Sequence, residues 1–253
     1  MIDHRTVKLG KAAPKNDHRN LKLAKYLTAA LPPPPPSCDW TAKVTSPWGM
    51  MLNDALGDCT IAGAGHLIMC WTGNAGVLVV PPDSAIEAAY ESIDGYVAGD
   101  QSTDNGGVEV DVLNAWRQDG IAGHKIGGWA QVGHRNHQHV MTGVALFGGL
   151  YIGVALPVSF QGAAIWDVLP GGAVGDGAAG SWGGHCVVVV KYDEKGVYVV
   201  SWGELIFMTW AAWDAYVDEA YAIVSPDWLV EGAATPAGVD ASALAQDLAS
   251  VTN

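Results

Sequence analysis

The chain is poor in cysteine, in charge and in uninterrupted apolar sequence, and each shortage excludes something. Four cysteines in 253 residues, Cys38, Cys59, Cys70 and Cys186, are few and none forms a C-x-x-C pair. A disulfide-stapled scaffold and a cysteine-rich metal site are therefore not expected, and a reducing compartment suits the composition better. Charged residues make up 15%, with 13 basic against 26 acidic side chains. A net charge of −13 argues against nucleic acid or an anionic membrane as partners. Between His139 and Asp167 there is no Asp, Glu, Lys or Arg. Gly143, Gly148, Gly149, Gly153 and Pro157 break this stretch, however, so Val144–Leu156 reads as a helix end followed by a buried strand rather than a membrane span. The start, Met1-Ile2-Asp3-His4-Arg5, lacks the apolar run of a signal peptide. The expectation is a cytoplasmic protein or part of an intracellular assembly, such as a virion.

What is present suits a packed body. The chain is 49% hydrophobic, with 11 Trp and 32 Gly, enough for a sizeable core and many tight loops. The charge is unevenly spread. Residues 1–36 hold seven basic side chains (Arg5, Lys8, Lys11, Lys15, Arg19, Lys22, Lys25) and two acidic ones (Asp3, Asp17), leaving six basic and 24 acidic for the rest. A cationic arm is thus joined to an anionic body through Pro32 to Pro36, a stiff spacer. Within the arm Leu21, Leu23, Ala24 and Leu27 make a short apolar stripe. The arm could reach a partner or a second copy, or lie on the chain's own acidic surface as a short pro-segment.

Along the body, the apolar, proline-free stretch from Thr60 to Trp71 predicts a buried helix with Cys59 at its start. Ser84–Ile93 predicts a second, with Ser84 capping and Glu87 three residues on. Glu109–Gln118 predicts a third, stopped by Asp119-Gly120. Leu150–Leu156, Val187–Tyr192 and Val197–Ser201 read as strands, the last two joined in a hairpin by Asp193-Glu194-Lys195-Gly196. Phe207–Ile223 continues as strand or helix, and a weak helix lies near Ala241–Ala249 in an Ala-rich tail. Helices first and strands later predict an α+β fold. The expected divisions are 1–36 for arm and spacer, 37–135 for a helical lobe, 136–231 for a β-rich lobe and 232–253 for the tail.

A cysteine at a helix start is chemically favoured, because the unpaired N–H groups and the helix dipole stabilise the nucleophilic thiolate. A histidine across a cleft would lower its pKa further and carry the proton to a leaving group. The sequence Asn53-Asp54-Ala55-Leu56-Gly57-Asp58-Cys59 sets a side-chain amide six residues before the cysteine, where it could help hold an oxyanion. Asp39-Trp40 precedes Cys59 by 19 residues. Downstream come Asn105-Gly106-Gly107, then Gly184-His185-Cys186-Val187, then Ser201-Trp202-Gly203. In this order, over about 185 residues, the motifs resemble those of the papain-like cysteine peptidases.

The resemblance implies a papain-like two-lobe fold, with Cys59 at a helix start in the helical N-terminal lobe and His185 in the β-rich C-terminal lobe. It implies Cys59 as nucleophile, His185 as its base, and Asn53 with the Cys59 backbone N–H as oxyanion donors. Gly106 and Gly107 would meet the substrate main chain, and Trp202 would shield the histidine. The family orients its histidine with an Asn; here alignment on Trp202 gives Val200, and counting 16 residues from His185 gives Ser201, whose hydroxyl could serve. Leu56 and Asp104 stand where the family has a disulfide. Asp58 beside the thiol either opposes the thiolate or caps the helix.

Other signals lead away from chemistry. His134, His137 and His139 lack a completing ligand, so no metal or cofactor is expected. His66 lies two turns from Cys59, and Cys70 and Cys186 read as core. Two functions follow: a thiol hydrolase of peptide or amide bonds acting on a peptide or protein substrate, or a non-catalytic papain-fold assembly component docking partners through its arm. The first predicts that Cys59 alkylates well below the ordinary thiol pKa of about 8.5.

Overall fold

A computed structural model describes residues 7–15, 20–25, 27 and 33–228. The fold is α+β, with five α-helices and one eight-stranded sheet. The strands are β1 (Cys38–Asp39), β2 (Gly128–Gln131), β3 (Leu150–Leu156), β4 (Ile165–Trp166), β5 (Gly183–Asp193), β6 (Gly196–Ser201), β7 (Glu204–Thr209) and β8 (Val217–Val224). They lie in the order β2-β8-β3-β5-β6-β7-β4, with β1 on β5. All pairs are antiparallel except β4 with β7.

The helices are α1 (Cys59–Ala75), α2 (Asp83–Asp94), α3 (Glu109–Gln118), α4 (His137–Phe147) and α5 (Trp210–Tyr216). The expected helix from Cys59 is α1, ended by Gly76 at φ +113°, a conformation that glycine adopts without a Cβ clash. The third expected helix is α3, with the bounds read from sequence. The second begins one residue earlier than expected. Ser84 is not its cap: extended Pro82 precedes it and the acidic Asp83 takes the first turn. Phe207–Ile223 resolves into the end of β7, then α5, then β8. The uncharged stretch is α4 followed by β3, as expected, and among the described residues no helix is long and apolar enough to cross a membrane.

Alternation along β5 divides the interior into two cores, because successive side chains point to opposite faces. Val187 and Val189 join Trp166, Trp202 and Trp213 on one face, while Cys186, Val188 and Val190 join α1, Trp71 and Trp116 on the other. These are the two lobes. Helix α1 is buried almost throughout, and Gly63 lets it approach the sheet: a methyl there would lie 3.1 Å from the Tyr151 ring and 3.2 Å from Cys186 Sγ. The start of α1 is thereby fixed against the start of β5.

Described residues of the arm pack on the body. Leu23 is buried in the first core, with Leu21 and Leu27 packed beside it, so the apolar stripe read from sequence is a docking stripe. Leu21 O accepts a hydrogen bond from the backbone of Gln131 at the edge of β2. The Tyr192 hydroxyl donates to Pro35 O, which ties down the spacer as well. The tail helix expected near Ala241–Ala249 lies outside the described residues.

Candidate active site

Cys59 opens α1 and is 1% exposed. Its Sγ accepts a hydrogen bond from the backbone N–H of Cys186 at 3.4 Å, which puts the sulfur one peptide unit from His185. His185 Nε2 lies 2.9 Å from Ser201 Oγ, so of the two positions considered for an orienting group, the hydroxyl of Ser201 meets the ring. Trp202 stacks on the imidazole with centroids 4.2 Å apart and planes 13° apart.

That stacking depends on an unusual turn. Trp202 and Gly203 form the two-residue loop between β6 and β7, with φ +47° and +73°. Two-residue hairpin turns favour such angles because their twist matches that of the strands. Glycine adopts them freely, but a tryptophan there is strained, and such strain is held only where other contacts fix it. Trp182 and Trp166 also pack against the Trp202 ring.

Asn53 follows Met51 and Leu52, two non-glycine residues at φ +51° and +68°. Their left-handed backbone turns Asn53 inward, where it is 2% exposed and its amide donates to Leu56 O at 3.0 Å. Asp104 accepts hydrogen bonds from the Gly57 N–H at 2.8 Å and the Tyr90 hydroxyl at 2.7 Å. A polar tie therefore holds the loop before α1.

Asp58 occupies the cap position of α1 but makes no side-chain cap, because its carboxyl turns inward and is fully buried. Burial pushes its pKa up to about 8, with the Asn53 side chain opposing the shift. The group is then a neutral acid near pH 7 and does not oppose a thiolate as a carboxylate would. In the unfolded chain it loses its proton near pH 4, so between about pH 4 and pH 8 the folded state binds more protons and stability falls as pH rises. Asp58→Asn lacks this linkage. Across that window the Tm of the variant should rise relative to the parent as pH increases; a constant Tm difference from pH 4 to 8 would show that Asp58 titrates normally.

The cleft is occupied by the chain itself. Gly107 N–H donates to Gly10 O at 2.7 Å, and Ala12 N–H donates to Gly107 O at 2.9 Å, a parallel bridge bracketing Lys11. Lys11 N–H donates to Gly184 O at 3.1 Å, Lys8 N–H to Asn53 O at 3.3 Å, and Trp202 Nε1 to Lys8 O at 3.3 Å. Residues 8–12 thus touch Asn53, Cys59, Gly106, Gly107 and Trp202 and the backbone just before His185. Gly10 is fitted between two loops: a methyl on it would lie 1.6 Å from Gly57 O, and one on Gly106 would lie 1.9 Å from Gly10 O.

This occupancy changes the thiol. Burial pushes Cys59 up to about 12, outweighing the Cys186 and Gly10 N–H groups that favour the thiolate. The expectation of an acidic, reactive thiol therefore fails for the arm-covered state, because desolvation exceeds the benefit of the helix terminus. Gly10 directs its N–H toward the sulfur while its carbonyl is held by Gly107, so no electrophilic carbon is presented to Cys59.

His66, His137, Cys70 and Cys186 take structural positions. His66 is buried with Nε2 at 3.1 Å from Gly49 O, and burial lowers its pKa to about 4. His137 lies 2.8 Å from Asp214 and stacks on Trp210. Among the described residues no group of His, Cys, Asp or Glu has a metal-holding arrangement. Cys70 and Cys186 lie in the second core. Sequence reasoning missed Gly10 and Lys11 as occupants of the cleft, and Glu109, Asp218 and Glu219 as its acidic lining. The available signals were Asp218-Glu219 beside an apolar strand and Glu109 two residues after Gly107.

No family model matches the sequence, and no curated protein matches it. Solved structures do. Xylellain, a cysteine protease from Xylella fastidiosa, is similar with a TM-score of 0.63 and 16% identity, over 87% of this chain and 96% of that one. Digestive procathepsin L 3 of the Tenebrio molitor larval midgut gives 0.57 and 14%, over 87% and 77%. The Carica candamarcensis cysteine protease CMS1MS2, in complex with E-64, gives 0.53 and 17%, over 75% and 98%. The chain has the papain-like fold. At such identities it is the fold that is shared, and the papain-like architecture accounts for the two cores meeting at α1 and β5.

Proposed function

We propose that the chain is a thiol hydrolase of peptide or amide bonds, held latent by its own residues 8–12. In this reading Cys59 attacks the substrate carbonyl and His185 takes the thiol proton and returns it to the leaving group. Ser201 steadies the imidazole through Nε2, and Trp202 covers it. The Cys59 backbone N–H and the Asn53 amide hold the oxyanion. The Gly106-Gly107 loop pairs with the substrate main chain.

One observation carries the reading: a peptide segment fills the cleft beside Cys59 and takes both backbone hydrogen bonds of Gly107. A cleft that accepts an extended peptide at a buried thiol is built to bind peptide, whatever the segment's origin. The alternative is a non-catalytic assembly component whose arm docks on a neighbour. Residues 8–12 lie in the chain's own cleft, and Leu21, Leu23 and Leu27 pack on its own first core, which favours the hydrolase.

The test uses the full chain carrying Gly10→Ala to loosen the segment, with a mixture of quenched-fluorescent peptides. Turnover is expected, and adding Cys59→Ala or His185→Ala should abolish it. Turnover surviving either second substitution would contradict the reading. So would its absence once alkylation shows Cys59 to be exposed.

A further inference from the structure

Lys11 is the residue bracketed by the Gly107 bridge, yet its ammonium is buried, with the side chain 1% exposed. Nζ lies 2.9 Å from Glu219 Oε1 and 3.0 Å from Asp218 Oδ2, and it donates to Ala12 O at 3.2 Å. Burial works against its charge, but Glu109, Glu219 and Asp218 outweigh that and raise its pKa.

The pocket around it is constructed. Adjacent residues on a strand normally point to opposite faces, but the β3–β8 register shifts here: Gly153 faces Glu219 and Val154 faces Val217, so Asp218 is an extra, bulged residue. Bulges re-aim side chains in this way, and here the bulge lets two consecutive carboxyls face one ammonium. Gly153 supplies the space, since a methyl there would lie 2.0 Å from Lys11 Cε. From the other lobe α3 contributes Glu109 at its first residue. Glu109 is fully buried, with the Cys186 thiol as its hydrogen-bonding neighbour; burial, then Glu219, raise its pKa well above the usual carboxylate range.

Three carboxyls for one ammonium exceed what a latch requires. A buried ion pair gives no more stability than an apolar contact of similar size, so an arm could be held more simply by a leucine in an apolar hole. We propose that this Glu109–Asp218–Glu219 pocket is the specificity pocket of the site and takes a lysine or arginine side chain of the substrate. A substrate would run opposite to the segment, so that the residue at Gly10's place turns its carbonyl rather than its N–H to Cys59, and the basic side chain belongs to the residue before it, at the place of Lys11. The surplus acceptors suit a guanidinium, with its five N–H donors, at least as well as an ammonium. Lys11 then acts as the chain's own occupant of a site meant for substrate. The inference rests on the peptide-hydrolase reading for the identity of its ligand, though not for the pocket's preference.

The test takes the full chain with Lys11→Ala, which empties the pocket, and dipeptide coumarinyl amides with arginine, lysine, norleucine or glutamate at the adjoining position. Binding of the same peptides is measured separately on the chain carrying both Lys11→Ala and Cys59→Ala, by competition with a fluorescein-labelled peptide of residues 7–15. Arginine and lysine should exceed norleucine by about tenfold or more in both kcat/KM and affinity, with glutamate weakest. Glu219→Gln should erase most of the preference; the more exposed Asp218→Asn should reduce it and guards against misfolding of the first variant. Hydrolysis or binding that favours norleucine overturns the pocket assignment and leaves the hydrolase reading intact. A basic preference in binding without hydrolysis of any peptide supports the pocket and defeats the hydrolase.

Discussion

Replacing Gly10 by alanine should raise the rate at which iodoacetamide alkylates Cys59 at pH 8 by about 10²-fold, the shift in docking expected for overpacking of a few kcal/mol. The new methyl would sit 1.6 Å from the Gly57 carbonyl oxygen, with the Gly57 Cα 2.7 Å away. These are backbone atoms, and the Gly57 N–H is itself tied to Asp104. The loop cannot yield without breaking that tie, so the segment must leave. Its departure hydrates the sulfur and removes the desolvation that suppresses the thiolate. Gly171→Ala, where a methyl meets nothing within 4 Å, should leave the rate unchanged. An unaltered rate in the Gly10→Ala chain, with labelling located by peptide mass spectrometry, would mean that the segment does not govern access to Cys59.

Lys11→Met should release the same segment from its other end. Removing one member of a buried ion pair costs about 3–5 kcal/mol because the remaining charge is left uncompensated. Here Asp218 and Glu219 would lose their cation together. Asp218 is 29% exposed, but Glu219 is only 1% exposed and water reaches it only if the segment leaves, so the protein relieves the cost by opening the cleft. Exchange protection of the Gly107 and Ala12 amides, which bond to the segment and from it, should fall by more than 10²-fold, while amides within β5 and β6 stay protected. Lys11→Arg keeps the charge and should keep most of the protection. Protection undiminished in Lys11→Met would show that the backbone bonds alone hold the segment.

Several parts of this arrangement were legible in the sequence for local reasons. The helix from Cys59 follows from a proline-free apolar run closed by Gly76, and the β5–β6 hairpin from two β-branched stretches joined by a polar turn ending in glycine. The Asn53–Cys59 spacing, the Gly106-Gly107 loop and the Ser201-Trp202-Gly203 turn gave the order of the motifs. Contacts made across sequence distance were not legible. Seven basic residues near one end read equally as a solvated arm, and nothing local to Gly10 reveals a slot between Gly57 and Gly106. The bulge at Asp218 depends on the register of β8 against β3, which composition does not record. Asp58 misled because the residue type favours a cap, whereas tertiary packing turned its side chain inward and neutralised it. The thiol misled for the same reason: the helix start favours ionisation, but burial under the segment outweighs it.

The account turns on Cys59 and His185 acting as a pair once the cleft is open. The direct measurement is the pH profile of Cys59 alkylation in the full chain carrying Gly10→Ala, with and without His185→Ala. An inflection well below about 8.5, the ordinary thiol value, that moves up to that value when His185 is removed is the expected result. A single ordinary thiol profile, identical in both chains, would contradict it.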